Sequence, residues 1–258
     1  MKKLFPLFLA MLLCSYGSRG QNFERLEWSR VRMDSTWNAP EGRAAEIIGK
    51  YRPTIDSLMI PIGRTAEEME SYAPESPLSN LAADIMFEFA SDYLKKSTGE
   101  RDAEIDMAMT NFGGIRASLP GGDVTAYDVM SIFPFDNKIV ILDLEGRYVR
   151  ELLENFARRE RVEALSGVRL VIENRELKKA LVAGEEIDDG RIYKVATIDF
   201  LLFGGSNAEA FKKCGSYVDT GVFMRDMVTD YIKDKTAAGM MIESGKDGRT
   251  VVIKAEEQ

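Results

Sequence analysis

The sequence has no histidine among its 258 residues. Histidine is the usual base beside a serine or cysteine nucleophile and a frequent metal ligand, so this absence excludes Ser–His and Cys–His pairs and histidine-bound metal centres. The chain also lacks a run of lysine or arginine, and its formal net charge of −8 argues against binding to nucleic acids or anionic membranes. Its apolar fraction of 45% is ordinary, so we expect a globular core.

The first twenty residues have the pattern of a secretory signal. Two lysines precede an apolar run, Leu4–Leu13, and the small residues Ser18 and Gly20 follow it. The run is too short to span a bilayer. We therefore expect residues 1–20 to be removed from a secreted or periplasmic protein. A lipid anchor at Cys14 is the less favoured alternative, because the two leucines before it are larger than such processing prefers.

Cysteine is scarce, and the second of the two is Cys214. If the signal is removed, Cys214 is left alone and no intrachain disulfide can form. We expect it to be a small buried residue near the end of a helix. Residues 21–40 are polar and irregular in pattern, and we expect a single α/β domain over residues 41–258.

Apolar periodicity predicts alternating helices and strands in this domain. A helical pattern that begins near Glu41 should be interrupted at Pro53, and a second helix should end at Gly99. The buried face of the second helix should comprise Leu81, Ile85, Phe89 and Tyr93. Strands are predicted at MIPIGRT, EIDMAMTN, NKIVILDLEG, GVRLVIEN, RIYKVATIDFLL and RTVVIKAE, and further helices at RYVRELLENFARRE, NAEAFKK and GVFMRDMVTDYIKD.

Two glycine turns carry the strongest local signal. The strand EIDMAMTN leads directly into Phe112-Gly113-Gly114, and Arg116 follows two residues later. Glycines allow a backbone to approach a ligand closely, and arginine supplies a planar charged fork. Pairs of glycines are more often plain turns, and aromatic residues nearby are by default part of the core. Two aromatic rings beside two such turns would also suit a slot for a nucleobase.

Three separated motifs carry a resemblance to a known family. They are ESPLSNLAAD, TNFGGIRASLPGGDVTAYDVMSIFPFDNKIVILDLEG and YKVATIDFLLFGGSNAEAF, in this order. Over residues 41–258 the chain resembles the C-terminal domain of the secreted 5'-nucleotidases. The resemblance implies an α/β sandwich of mixed β-sheet and helices that recognises the nucleotide, while metals in a separate metallophosphoesterase domain perform the hydrolysis.

The resemblance also implies roles for individual residues. Asn111 matches the family asparagine that contacts the base, and Arg116 matches the arginine on the ribose or phosphate side. Phe135 and Phe200 match the two aromatic rings that sandwich the base. The full set of expected substrate-binding residues is Asn111, Gly113, Gly114, Arg116, Phe135, Phe200, Gly204, Gly205 and Ser206.

Three positions depart from the family pattern. Phe112 replaces a glycine, Ser206 stands where an aspartate would hold the ribose hydroxyls, and Pro74 stands where an arginine is often found. Losing a charged hydrogen-bond partner removes about 1.5–3 kcal/mol. We therefore expect base stacking to persist and recognition of the phosphate to be weakened.

The metal centre of the family is not expected in this chain. Such a centre uses histidine among its ligands, and the region before Glu41 is too short for the domain that carries it. Asp123, Asp136 and Asp199 are near the expected cleft and could hold Mg²⁺ or Ca²⁺, although solvated loop charges or turn caps are the commoner role. We expect no cofactor in this chain and divalent metals only on a partner chain.

These features lead to one preferred function and two alternatives. The preferred function is the nucleoside- or nucleotide-binding half of a split 5'-nucleotidase, with a separate metallophosphoesterase chain as the partner. The first alternative is a degenerate scaffold domain that has lost its ligand, in which Phe112 fills the base slot from inside. The least favoured is an independent hydrolase with a carboxylate-bound metal.

Overall fold

The computed structural model describes residues 42–254, and the division of the chain into two units falls within its first helix, between Ile48 and Gly49. This helix, α1 (Gly42–Leu58), continues through Pro53, so the predicted interruption is wrong. None of its side chains is buried. The Gly49 carbonyl, which cannot receive a hydrogen bond from Pro53, is therefore free to bond water. The predicted signal, the irregular arm and Cys14 lie outside the described residues.

The second unit contains the remaining helices and all the strands that the structure describes. The helices are α2 (Pro77–Thr98), α3 (Ala126–Ile132), α4 (Gly146–Arg159), α5 (Asp199–Leu202) and α6 (Met224–Ala237). The strands are β1 (Pro61–Thr65), β2 (Met107–Thr110), β3 (Gly122–Thr125), β4 (Lys138–Glu145), β5 (Ala164–Ser166), β6 (Val168–Glu173), β7 (Glu176–Val182), β8 (Glu185–Glu186), β9 (Ile192–Ile198), β10 (Ser216–Phe223) and β11 (Thr250–Ile253).

A five-stranded mixed sheet forms the centre of the unit. Its strand order is β10-β4-β9-β2-β5, with β2 parallel to β9 and β4 antiparallel to β9. In β4 the residues from Ile139 to Leu142 are buried one after another, and in β9 the same holds from Val195 to Ile198. Consecutive buried residues mean that both faces of these strands are covered, as in a layered α/β fold. The predicted α/β class is confirmed.

Helix α2 packs against this sheet and has well-defined ends. Ser76 caps its first turn through reciprocal hydrogen bonds with Ser79, and Gly99 ends it in a left-handed conformation with φ of 74°. On the predicted buried face, Leu81 and Ile85 are buried, as expected. The other two members of that face, Phe89 and Tyr93, are half-buried.

A second sheet, β11-β6-β7-β8, is joined to the start of α2 by one buried carboxylate. Glu75 Oε1 accepts hydrogen bonds from Asn80 Nδ2 at 2.9 Å, from Asp247 N at 2.7 Å and from Gly248 N at 3.1 Å. The segment before β11 is therefore tied to the ESPLSN motif, so this part of the motif acts in folding. A two-stranded sheet, β1-β3, completes the strand pairing.

Most predicted elements are confirmed, but two boundaries are wrong and one predicted α-helix is a shorter 3-10 turn. The strand predicted through Leu202 ends at Ile198, because residues 199–202 turn into the short helix α5. NAEAFKK forms only a 3-10 turn, Glu209–Lys213. The helix predicted from Gly221 begins at Met224, because Phe223 is still paired with Lys138 of β4. Across residues 42–254, none of the helices has the length and hydropathy needed to cross a membrane.

Candidate functional site

The topology of the central sheet brings three separated segments together. Because β2 and β9 are parallel and β4 runs against β9, the ends of β2 and β9 lie at the same edge of the sheet as the beginning of β4. Asn111 directly follows β2, Phe200 follows β9 within α5, and Phe135 lies just before β4. A crevice at the carboxyl ends of strands is a common position for ligands in α/β proteins.

These segments line a cleft of about 120 Å³. The residues in its wall are Asn111, Gly113, Gly114, Phe135, Asn137 and Phe200. Phe135 and Phe200 are 46% and 48% exposed, so each ring presents a large apolar surface to solvent. Sites for whole drug-sized ligands are usually about 300–1,000 Å³. The cleft therefore offers space for one flat ring and not for a whole drug-sized ligand.

Asn111 places a buried amide in the wall of this cleft. The residue is 6% exposed, and within residues 42–254 its Oδ1 atom has no hydrogen-bond partner. The side chain folds over the glycine turn, since a Cβ on Gly114 would lie only 2.9 Å from Oδ1. A larger residue at position 114 would therefore displace the Asn111 amide. A buried polar atom without a partner is costly, and a ligand that bonds to it would remove that cost.

The turn after Asn111 is held by a buried acid that the sequence interpretation missed. Glu163 is 2% exposed, and its Oε2 accepts a hydrogen bond of 2.8 Å from the backbone N–H of Phe112. Burial raises the pKa of Glu163, and the Phe112 hydrogen bond opposes that rise. Phe112 itself is half-buried and is not among the residues that line the cleft. It does not fill the base slot in the way the scaffold alternative supposes.

The ring of Phe200 lies against the second glycine turn. A Cβ on Gly205 would be 2.5 Å from Cζ and 2.6 Å from Cδ1 of this ring, so the ring packs directly on the Gly205 backbone. Gly204 has a φ of 89°, which favours glycine. Ser206 is half-buried, and its carbonyl accepts a hydrogen bond of 3.3 Å from Arg159 Nη1. Gly204, Gly205 and Ser206 support the loop but do not line the cleft.

Arg116 lies beside the cleft and outside it. Its guanidinium is exposed, and Nη1 donates to the Gly113 carbonyl at 3.4 Å. It lines a neighbouring groove of about 440 Å³ together with Ser71, Tyr72 and Ser118. Pro74 stands where the family pattern often has an arginine. It is exposed, and it lines neither the cleft nor the groove beside Arg116.

Two further residues near the cleft were missed by the sequence interpretation. Asn137 lines the cleft and follows Phe135 by two residues in the segment FPFDNK. Its closeness to Phe135 in the sequence is the signal that could have indicated it. Arg225, at the start of α6, forms an ion pair of 2.5 Å with Asp136. No local pattern marks Arg225, since it is 90 positions from Phe135 in the sequence.

The three candidate metal-binding aspartates are engaged separately. Asp136 pairs with Arg225, Asp123 pairs with Arg64 at 2.9 Å, and Asp199 Oδ1 accepts the N–H of Phe200 at 2.7 Å. In the part of the chain that the structure describes, no group of three or more histidine, cysteine, aspartate or glutamate side chains is arranged to hold a metal ion. Cys214 is half-buried and follows the 3-10 turn Glu209–Lys213, and burial raises the pKa of its thiol.

Comparisons with known proteins identify relatives of this chain. Protein UshA of Yersinia enterocolitica is 29% identical over 135 residues, which are 51% of this chain and 24% of that protein. Cell wall protein Lmo0130 of Listeria monocytogenes is 31% identical over 197 residues, which are 69% of this chain and 24% of that protein. The chain thus spans about a quarter of the length of these curated relatives.

A solved structure shares the fold. The 5'-nucleotidase precursor from Thermus thermophilus superposes with a TM-score of 0.68 at 26% identity, covering 85% of this chain and 45% of that one. The family model described as "5'-nucleotidase, C-terminal domain" matches residues 55–213, which include the cleft residues from Asn111 to Phe200. This chain belongs to the family of 5'-nucleotidase C-terminal domains.

Proposed function

We propose that the protein is the nucleoside- or nucleotide-binding half of a 5'-nucleotidase, and that a separate metallophosphoesterase chain hydrolyses the phosphate ester. The observation that carries the proposal is the cleft between Phe135 and Phe200, with the amides of Asn111 and Asn137 in its wall. A flat ring with polar edges is the ligand that such a cleft fits. Nucleobases have this shape, and their edges both donate and accept hydrogen bonds.

Stacking supplies most of the expected affinity. Each stacked base contributes about 1–3 kcal/mol by alanine substitution. With two rings and one or two amide contacts, we expect a dissociation constant between roughly one millimolar and ten micromolar. The buried Oδ1 of Asn111 favours ligands with an N–H on the edge of the base.

The ribose and phosphate would lie outside the cleft, on the side of Arg116. The guanidinium is 3.4 Å from the carbonyl of Gly113, which itself lines the cleft. Because Arg116 is exposed, its contact with a phosphate is worth about 1 kcal/mol or less at ordinary salt. We therefore expect AMP to bind at most about five times more tightly than adenosine.

In this proposal the chain binds its nucleoside or nucleotide in the periplasm or outside the cell. The support is the signal-like pattern of residues 1–20 and the name of one relative, a cell wall protein. Sequencing the N-terminus of the secreted protein tests the first of these, since a chain that begins at Gln21 is expected.

Binding to adenosine and AMP by calorimetric titration tests the binding half of the proposal. We expect Phe200→Ala to weaken binding about 5- to 140-fold, corresponding to the 1–3 kcal/mol of one stacked face. Phe203→Ala is the matched control, because Phe203 is three residues away, 68% exposed and outside the cleft. Equal losses in the two variants would contradict a base clamp.

Hydrolysis of AMP tests the split-enzyme half. The protein is mixed with a metallophosphoesterase chain from the same organism, and phosphate release is measured with and without EDTA. We expect the mixture to hydrolyse AMP faster than the partner alone, and the gain to be smaller with Phe200→Ala. A mixture no faster than the partner alone would show that the two do not form one enzyme.

The scaffold alternative keeps two observations in its favour. Among the residues that line the cleft, none carries a charge, and Ser206 replaces the aspartate of the family pattern and lies outside the lining. A protein that retained the fold for protein contacts alone would bind neither adenosine nor AMP at millimolar concentration. The titration above separates the two functions.

A further inference from the structure

The wall of the cleft that carries Phe135 is anchored by the first residues of α6. The backbone N–H of Met224 donates to the carbonyl of Asn137 at 2.9 Å. Arg225 Nη2 lies 2.5 Å from Asp136 Oδ1, and Arg225 Nη1 donates to the carbonyl of Phe135 at 3.5 Å. Each of the residues 135, 136 and 137 is therefore tied to the same helix end.

The guanidinium of Arg225 is itself held in place. Its side chain is 23% exposed, and Cζ lies 5.2 Å from the ring centroid of Phe223, within the range of a cation–π contact. Phe223 is the last residue of β10 and is paired with Lys138 of the central sheet. The planar guanidinium presents its donors in a fixed fork and can lie flat on a ring, whereas a lysine ammonium is a point charge on a flexible stem and holds its acceptors less rigidly.

The two aromatic walls are supported differently. Both rings are about half exposed, but the Phe200 ring rests on the Gly205 backbone, whereas Phe135 lies on a loop before β4. The bonds from Arg225 to Asp136 and to the Phe135 carbonyl restrict the backbone from which the ring projects.

We propose that Arg225 is a positioning residue that holds Phe135 in its binding geometry before any ligand enters. This inference rests on the proposed function of the cleft. Arg225 does not line the cleft, so it acts through Phe135 and Asp136. When the loop is already ordered, the ligand does not have to order it, and the affinity rises accordingly.

The test combines a binding measurement with a measurement that needs no ligand. For Arg225→Ala we expect adenosine to bind about 2- to 12-fold more weakly, the cost of ordering one side chain on binding. Without ligand, we expect faster deuterium uptake in a peptide spanning residues 133–138 and unchanged uptake in β9. Arg225→Lys should show smaller losses of affinity and of protection from exchange than Arg225→Ala, because it keeps the charge beside Asp136 but loses the planar fork.

Arg147→Ala is the matched control. Arg147 also pairs with an acid, Glu145 at 2.8 Å, and also lies over an aromatic ring, Tyr148 at 4.8 Å, but it is next to the opposite end of β4. If Arg225→Ala matches Arg147→Ala in affinity and in local uptake while Phe200→Ala loses binding, the inference is wrong and the proposed function stands. If the unaltered protein binds no adenosine, the proposed function fails and the binding role of Arg225 fails with it.

Discussion

Replacing Gly205 with alanine would place a methyl group in space that the Phe200 ring now occupies. The new Cβ would lie 2.5 Å from Cζ and 2.6 Å from Cδ1 of that ring. Carbon atoms in contact are about 3.5–4.0 Å apart, so the ring must retreat by about 1 Å or more. The backbone of Gly205 is outside the left-handed region, so the substitution adds no strain of its own.

The displaced ring can move into solvent at little cost in stability. Phe200 is 48% exposed, so we expect Gly205→Ala to change the free energy of unfolding by less than about 1 kcal/mol. Binding should suffer more, because a ring shifted by this distance no longer presents its face to the base. We expect a loss of affinity for adenosine of about 5- to 140-fold, similar to that of Phe200→Ala.

Titration calorimetry and urea unfolding measure the two effects on the same samples. Gly245→Ala is the control, because a Cβ at that position meets no atom within 4 Å and the backbone there is not left-handed. We expect it to bind adenosine normally. If Gly205→Ala also bound normally while Phe200→Ala did not, the position of the ring on Gly205 would not matter for recognition, and this reasoning would be refuted.

Three further predictions concern charged side chains. The pKa of Glu163 is raised in the folded protein, so the folded protein binds this proton more tightly than the unfolded chain does. The free energy of unfolding should therefore fall as the pH rises above 4.5, the ordinary pKa of a glutamate. Glu163→Gln should remove that fall, so in urea unfolding its stability relative to the unaltered protein should increase with pH; a difference that does not vary with pH would contradict this. Glu75→Ala should lower the free energy of unfolding by about 3 kcal/mol or more, because it leaves the buried amide of Asn80 and the backbone N–H groups of Asp247 and Gly248 without their carboxylate acceptor, and Glu75→Gln should lower it less. A loss below about 1 kcal/mol would argue against the role of Glu75 in folding. Arg116→Ala should weaken binding of AMP by up to about 5-fold and leave adenosine binding unchanged, and equal effects on both ligands would place Arg116 near the base.

The local sequence predicts the central elements well because their signals are strong. β2 and β4 are consecutive or alternating apolar residues next to turn glycines, and α2 has a cap and a glycine stop. Apolar periodicity does not reveal exposed or short elements. β10 is exposed over most of its length, so periodicity gives no apolar face to recognise, and the pattern places its last three residues in the following helix.

The candidate site divides in the same way. Asn111, Phe135 and Phe200 each lie at an end of a central strand, and the parallel pairing of β2 and β9 accounts for their convergence. The supporting residues are set by tertiary contacts instead. Glu163 reaches Phe112 from 51 residues away, and Arg225 reaches Phe135 from 90 residues away. No pattern within either segment indicates those contacts.

A crystal structure of the protein with adenosine bound tests the central claim most directly. We predict that the base lies between Phe135 and Phe200, with one edge in hydrogen-bond distance of the Asn111 amide and the ribose directed toward Arg116. Adenosine bound elsewhere on the protein, with the cleft empty at a saturating concentration, would contradict the account.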